Sequence, residues 1–168
     1  MRILVVDDEP AIRFALADLL ATDGHDVAEA EHAPAALALV EARGFDLVLT
    51  DYRMPKVDGL ELLAALRRDH PELLVAMLTA HGDERTAVRA LKLGAYDYVP
   101  KPYDNDEIRA LVVRARELLA LRAENARLRE ELATRFHDLV GAASAMREVY
   151  RLVARAAPTR ATVLVTGE

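Results

Sequence analysis

The stretch Asp46-Leu47-Val48-Leu49-Thr50-Asp51 is a short apolar run that ends in a carboxylate. Similar runs rich in Val, Leu and Ile occur at 2–6 and 73–78, and weaker ones occur at 26–30 and 96–99. Short apolar runs without a polar alternation are typical of strands buried on both faces, as in a parallel sheet. The sequence therefore predicts five such strands, with residues 46–50 forming the third along the chain.

The segments between these runs have the periodicity of helices that bury one face. Apolar residues mark that face in each of five predicted helices: Ile12, Leu16, Leu19 and Leu20; Leu37 and Val40; Leu60, Leu63 and Leu66; Val88 and Leu91; and Ile108, Leu111 and Val112. A regular alternation of strands and helices predicts a parallel sheet with helices on both faces. Such sheets bind ligands beyond the carboxyl ends of their strands.

Composition excludes several functional classes. The 168 residues are 52 % hydrophobic, which predicts a packed domain with extra elements. The sequence has no cysteine, so disulfides, cysteine-ligated zinc and thiol catalysis are excluded. A net charge of −6 argues against a nucleic-acid-binding surface in this chain. No apolar run is long enough for a membrane span or a secretory signal, so we expect no membrane contact and a cytoplasmic location.

Chemically versatile side chains follow four of the predicted strands. Asp7 and Asp8 follow the first strand, Asp51 the third, Thr79 the fourth and Lys101 the fifth. Each alone is more often a helix cap or a turn residue. All of them fall where parallel strands end at one edge of the sheet, and this joint placement favours a shared site.

The three carboxylates predict a site for Mg²⁺. Close carboxylates resist ionising together, and a divalent cation relieves their repulsion. Magnesium prefers oxygen ligands and keeps positions open for water and phosphate oxygens. A carboxylate beside Mg²⁺ can attack phosphorus and form an aspartyl phosphate, while a lysine and a hydroxyl group stabilise the phosphoryl oxygens. The residue types therefore predict phosphoryl transfer.

Four motifs resemble the receiver domains of bacterial response regulators, in the same order along the chain. They are Val5-Val6-Asp7-Asp8-Glu9-Pro10, Thr50-Asp51-Tyr52-Arg53-Met54-Pro55, Leu78-Thr79-Ala80-His81-Gly82, and the segment from Gly94 to Pro102. The resemblance covers roughly residues 1–120. It implies a flavodoxin-like fold, with five parallel strands in the order 2-1-3-4-5.

The resemblance implies a role for each residue of the acidic site. Asp51 would accept the phosphoryl group from a sensor histidine kinase. Asp8, Asp51 and the backbone carbonyl of Arg53 would bind Mg²⁺ directly, and Asp7 would bind it through water.

The resemblance also implies a switch. Thr79 would move its hydroxyl group toward the phosphoryl group, and Tyr98 would then turn inward. Lys101 would pair with the phosphate, aimed by a cis peptide bond to Pro102. His81 would only tune hydrolysis of the acyl phosphate.

The last receiver helix continues into a predicted dimerisation linker. Residues 105–135 contain no proline or glycine and are dominated by helix-forming residues. A heptad pattern predicts a parallel coiled-coil homodimer whose seam is formed by Leu118, Leu121, Asn125, Leu128 and Leu132. The receiver face is expected as a second dimer contact. A single asparagine in the seam and flanking Glu and Arg residues favour two strands. The alternative is a helix packed on its own chain, because the seam is only about two heptads long.

Residues 136–168 resemble the opening of the AAA+ ATPase domain of sigma-54-dependent activators of the nitrogen-regulator class. The run 161–166 predicts a strand that leads into Gly167, the first glycine of a phosphate-binding loop. The rest of that loop is missing, so we expect a truncated ATPase that does not bind ATP. Contacts with DNA and sigma-54 RNA polymerase would belong to domains absent from this sequence. The predicted domains are the receiver 1–116, the linker 117–135 and this stub 136–168.

The leading hypothesis is a response regulator whose phosphorylation controls a sigma-54-activator ATPase, and hence transcription, without turnover chemistry of its own. A pseudo-receiver that serves only for dimerisation is an alternative. An aspartyl-nucleophile phosphatase is less favoured, because such enzymes place a carboxylate two residues after the nucleophile, where this chain has Arg53. A flavin-binding protein is disfavoured by the acidic loop after the first strand.

Overall fold

A computed structural model describes residues 1–55, 57–80, 84–134 and 144–156. These residues form five strands, β1 Arg2–Val6, β2 Asp26–Ala30, β3 Leu47–Asp51, β4 Leu74–Ala80 and β5 Asp97–Lys101. They also form six helices, α1 Pro10–Thr22, α2 Ala33–Ala42, α3 Gly59–Asp69, α4 Glu84–Lys92, α5 Asn105–Thr134 and α6 Ser144–Ala156. The predicted strands match the observed ones to within a few residues at either end.

The five strands form one parallel sheet in the order β2-β1-β3-β4-β5. The predicted flavodoxin-like sheet is therefore confirmed. In the strand register, Asp51 lies opposite Leu78 and Ala80 lies opposite Lys101. Because all strands run the same way, their carboxyl ends meet at one edge, which carries the residues singled out in the sequence.

Both faces of the sheet are buried, and residues along each strand alternate between them. In β1, Ile3 and Val5 belong to one core cluster, whereas Leu4 and Val6 belong to the other. Helices α1 and α5 cover the first face through Leu16, Leu20, Ile108 and Leu111. Helices α2, α3 and α4 cover the second through Ala36, Val40, Leu63, Leu66 and Ala90. Burial on both faces explains why the strands read as continuous apolar runs.

Helix α4 corrects one prediction from the sequence. Val88 and Leu91 were expected on its buried face, but they are 51 % and 44 % exposed. The helix instead buries Ala87 and Ala90, together with Thr86. These residues share the same helical spacing as the larger pair, so periodicity alone could not choose between the two stripes. Helix α4 therefore packs through small side chains and presents its large ones to solvent.

Helix α5 is continuous over 30 residues, in line with the predicted long helix. Its first turns are buried against the sheet, and Leu118 packs at the edge of that core. Leu121 and Leu128 are 69 % and 46 % exposed. The side chain of Leu132 and the predicted strand at 161–166 lie outside the described residues. The coiled coil itself stays a prediction.

The chain divides into two compact units, Met1–Ala120 and Leu121–Glu168. In the second unit, α6 spans Ser144–Ala156. None of the described helices combines the length and the apolar character needed to cross a membrane.

Candidate phosphoacceptor site

The ends of β1, β3, β4 and β5 place four functional side chains together. Asp7 directly follows β1, Asp51 ends β3, Thr79 is the penultimate residue of β4 and Lys101 ends β5. Asp7, Thr79 and Asp51 are only 0 %, 2 % and 7 % exposed. Buried carboxylates need charge or hydrogen-bond partners, and Asp7 and Asp51 find them in Lys101 and in neighbouring backbone amides.

The Lys101 ammonium bridges two carboxylates. Its Nζ donates to Asp7 Oδ2 at 2.9 Å and lies 2.7 Å from Asp51 Oδ1. The Lys101–Pro102 peptide bond is cis, as the resemblance to receiver domains implied. The two aspartates and the lysine, which are distant in sequence, therefore form one connected cluster.

Backbone amides hold the remaining carboxylate oxygens. Asp51 Oδ2 accepts a hydrogen bond from the Arg53 amide at 2.8 Å. Asp7 Oδ1 accepts one from the Glu9 amide at 2.9 Å. Asp8 lies between Asp7 and Glu9 in the β1–α1 loop and is exposed. It is thus the acidic residue of the site with the freest side chain.

Burial sets the protonation of the cluster. Burial raises the pKa of Asp51, and the charge of Asp7 raises it further, against the hydrogen bond and charge of Lys101. Burial disfavours the charged form of Lys101, but its bonds to Asp51 and Asp7 prevail and raise the pKa of the amine. The lysine therefore stays protonated at neutral pH, and it faces the Asp51 carboxylate, whose charged form is disfavoured by burial.

Gly59 allows the chain to turn tightly behind Asp51. A Cβ atom at position 59 would collide with the backbone oxygen of Asp51 and lie 3.0 Å from Tyr52 Cα. The Gly59 amide instead donates to the Tyr52 carbonyl at 2.9 Å. Asp58 caps α3 by accepting from the Glu61 amide at 2.9 Å. No local sequence pattern encodes this close approach, because it joins two segments that are eight positions apart.

The two predicted switch residues differ in exposure. Thr79 is buried, whereas the Tyr98 side chain is 38 % exposed on the edge strand β5. Tyr98 therefore faces outward in this structure, and its inward turn stays a prediction. His81 lies outside the described residues.

Arg13 on α1 is a neighbour of the site that the sequence did not single out. Its Nη1 donates to the Asp7 carbonyl oxygen at 2.6 Å, and its Nε lies 3.3 Å from Glu29 Oε2 on β2. An arginine in an amphipathic helix is usually a solvated residue, so the sequence carried no specific signal for this contact.

Comparison with known proteins agrees with this geometry. The family model for the response regulator receiver domain matches residues 3–113. This chain belongs to the receiver domain family. The receiver is also similar to a crystal structure of the isolated receiver domain of NtrX from Brucella abortus. That comparison has 42 % identity and a TM-score of 0.67, and it covers 68 % of this chain and 98 % of that one.

The similarity extends past the receiver. Nitrogen assimilation regulatory protein NtrX of Azorhizobium caulinodans is 39 % identical over 98 % of this chain and 36 % of its own length. DNA-binding transcriptional regulator NtrC of Salmonella typhimurium is 39 % identical over 98 % of this chain and 34 % of its own. The structure of Brucella abortus NtrX with ADP has 39 % identity and a TM-score of 0.74, and it covers 94 % of this chain and 34 % of that one. The chain thus spans about a third of the length of these relatives.

The donor set of the receiver suits Mg²⁺ in chemistry, but its side chains are not assembled around a metal position. Among the described residues, no three acidic or histidine side chains are grouped closely enough to hold an ion. Lys101 instead occupies the space between Asp7 and Asp51. The donors are nevertheless carboxylates, one of them with a pKa raised by burial, and a hard divalent cation stabilises such groups. The acidic residues of the receiver therefore fit Mg²⁺ in their chemistry, and Asp8 is the exposed one among them.

Proposed function

We propose that this receiver is switched by phosphorylation of Asp51. The observation that carries the proposal is the Lys101 ammonium 2.7 Å from Asp51 Oδ1, inside a buried acidic cluster. A fixed cation beside a nucleophilic carboxylate is what transfer of a phosphoryl group requires, since charge is stabilised without solvent reorganisation.

In the proposed transfer, an Asp51 oxygen forms a bond to phosphorus. The phosphorus–nitrogen bond of a kinase phosphohistidine, or the phosphorus–oxygen bond of a small donor, breaks, and the leaving group keeps the electron pair. Lys101 offsets charge on one phosphoryl oxygen, and the Thr79 hydroxyl donates to another.

The metal ligands in this proposal are the carboxylates of Asp8 and Asp51 and the Arg53 carbonyl, with Asp7 acting through water. When bound, Mg²⁺ neutralises charge on the transferring group and orients it. Arg53 supports a phosphoacceptor over a phosphatase, because it places no carboxylate two residues after Asp51 to activate water. The complete Asp, Thr and Lys set argues against a pseudo-receiver.

Intact mass spectrometry after incubation with acetyl phosphate and Mg²⁺ tests the proposal. We expect one added phosphoryl group, lost in Asp51→Asn and lost when EDTA removes the metal. Asp69→Asn removes an exposed aspartate of α3 and is the matched control, which we expect to be modified normally. A folded chain that gains no phosphoryl group, or an Asp51→Asn variant that gains one, would refute the proposal.

We further propose that the complete protein is a cytoplasmic transcription regulator of the NtrC and NtrX type, with a sensor histidine kinase as phosphodonor. The support is an alignment that continues through residues beyond the receiver at 39 % identity. In this proposal the receiver controls a sigma-54-activator ATPase, and contacts with DNA and RNA polymerase are made by parts of the protein outside the matched third.

The proposed dimer rests on the exposed seam of α5. Leu121 and Leu128 are large apolar side chains left in solvent, two turns apart on one helix. We expect light scattering to give the mass of a dimer. Replacing both leucines with aspartate should give a monomer, whereas aspartate at the exposed positions Ala123 and Ala126, outside the seam, should not. A dimer that survives the first pair of changes would refute the seam.

A further inference from the structure

Arg13 ties the β1–α1 loop to strand β2. Its Nη1 donates to the Asp7 carbonyl at 2.6 Å, and its Nε lies 3.3 Å from Glu29 Oε2. Only 16 % of the Arg13 side chain is exposed, so its guanidinium is largely removed from solvent. A nearly buried arginine with two partners on different segments fixes the geometry between those segments.

The contact acts on the peptide unit that precedes Asp8. The Asp7 carbonyl and the Asp8 amide belong to one planar group, so orienting the carbonyl also orients the chain entering Asp8. The Glu9 amide also holds this loop, by donating to Asp7 Oδ1 at 2.9 Å, but the N-cap residue Glu9 makes no side-chain capping hydrogen bond. Arg13 is therefore the side chain that reaches this loop from α1.

We propose that Arg13, tethered by Glu29, is a positioning residue that aims the Asp8 carboxylate at the Asp51 site. The inference rests on the proposed function, because it gives Asp8 the role of a magnesium ligand. Arg13 acts through the backbone of Asp7 and contacts neither the metal nor the phosphoryl group. Outer residues that orient metal ligands typically change metal affinity 10–100-fold when they are lost.

The charge of Arg13 and its positioning role predict opposite changes in the affinity for Mg²⁺. Arg13 is a cation close to an acidic site, so if only its charge mattered, removing it would tighten binding of Mg²⁺. If it positions Asp8, removing it weakens binding. The sign of the change in affinity thus distinguishes the two roles.

The test is calorimetric titration of the whole chain with Mg²⁺. We expect Arg13→Gln to raise the dissociation constant by roughly tenfold. Arg13→Lys should restore part of the affinity, since a lysine can contact either the Asp7 carbonyl or the Glu29 carboxylate but not both at once. Glu29→Gln should weaken binding less than Arg13→Gln, because it leaves the contact with Asp7 in place.

Arg43→Gln is the matched control. Arg43 pairs with Asp26 at the other end of β2, also at 3.3 Å, and its guanidinium lies over the Phe45 ring. We expect its affinity for Mg²⁺ to equal that of the unsubstituted chain. Thermal unfolding in EDTA checks that each variant is folded, and if Arg13→Gln does not fold, Glu29→Gln carries the test.

The outcomes distinguish the positioning role from the proposed function. Unchanged or tighter binding of Mg²⁺ in folded Arg13→Gln would overturn the positioning role, even if phosphorylation of Asp51 proceeds. Graded magnesium affinities without phosphorylation would support the positioning role and refute the proposed function. An unsubstituted chain that binds no Mg²⁺ would overturn both.

Discussion

Helices α1 and α4 cover opposite faces of the same sheet but are held by side chains of different size. Helix α1 buries Leu16 and Leu20 in the core, at 3 % and 0 % exposure. Helix α4 buries alanines and leaves Val88 and Leu91 in solvent. Because apolar burial contributes about 0.8 kcal/mol per methylene group, α1 is the more firmly held of the two.

The difference bears on where a phosphorylation signal can act. A small change in free energy moves an element only if the alternatives are close in energy. Helix α4 follows β4, which carries Thr79, and its exposed side chains have little to lose by repacking. We therefore expect the switch to act on α4 and β5, while α1 and the loop held by Arg13 keep the site in place.

The largest expected effect separates the two helices by stability. Leu20→Ala removes a fully buried side chain and should lower the free energy of unfolding by about 2–5 kcal/mol. Leu91→Ala, on the exposed face of α4, should change it by less than about 0.5 kcal/mol. Urea denaturation of both variants measures this. Equal losses would show that Leu91 is packed and would remove the contrast.

A second, smaller effect concerns Asp51. Burial raises the pKa of Asp51 in the folded chain above that in the unfolded chain. Between these two pKa values the folded chain holds a proton that the unfolded chain has lost, so the free energy of unfolding falls as pH rises through that interval. In EDTA, Asp51→Asn should therefore be more stable than the unsubstituted chain at pH 7, and the gain should shrink toward pH 4. Unfolding at several pH values measures it, with Asp69→Asn as a comparison of opposite sign, because the hydrogen bond with Arg68 lowers the pKa of Asp69. A gain independent of pH would contradict the burial of this charge.

The sheet and its site were largely predictable from sequence, because continuous apolar runs and the polar residues after them depend only on local order. The packing of α4 was not, since Ala87 and Val88 belong to stripes with equal spacing and only the tertiary structure decides which is buried. The contacts of Arg13 and Gly59 depend on the tertiary structure in the same way. Their importance lies in contacts with the Asp7 and Asp51 backbones, which no local pattern encodes.

The smallest expected effect is at the edge of the sheet. Arg114 on α5 pairs with Asp97 on β5 at 2.8 Å, with both side chains partly exposed. Asp97→Asn should lower the free energy of unfolding by only about 0.2–1 kcal/mol, since solvent screens such pairs. A thermal melt with and without added salt measures it. A larger loss would mean that β5 is held more tightly than α4.

Hydrogen exchange of the phosphorylated and unphosphorylated chain tests the central claim most directly. The account predicts altered exchange in the amides of α4 and β5, and unchanged exchange in α1, with no difference in Asp51→Asn. Equal changes in α1 and α4, or changes confined to α1, would contradict it.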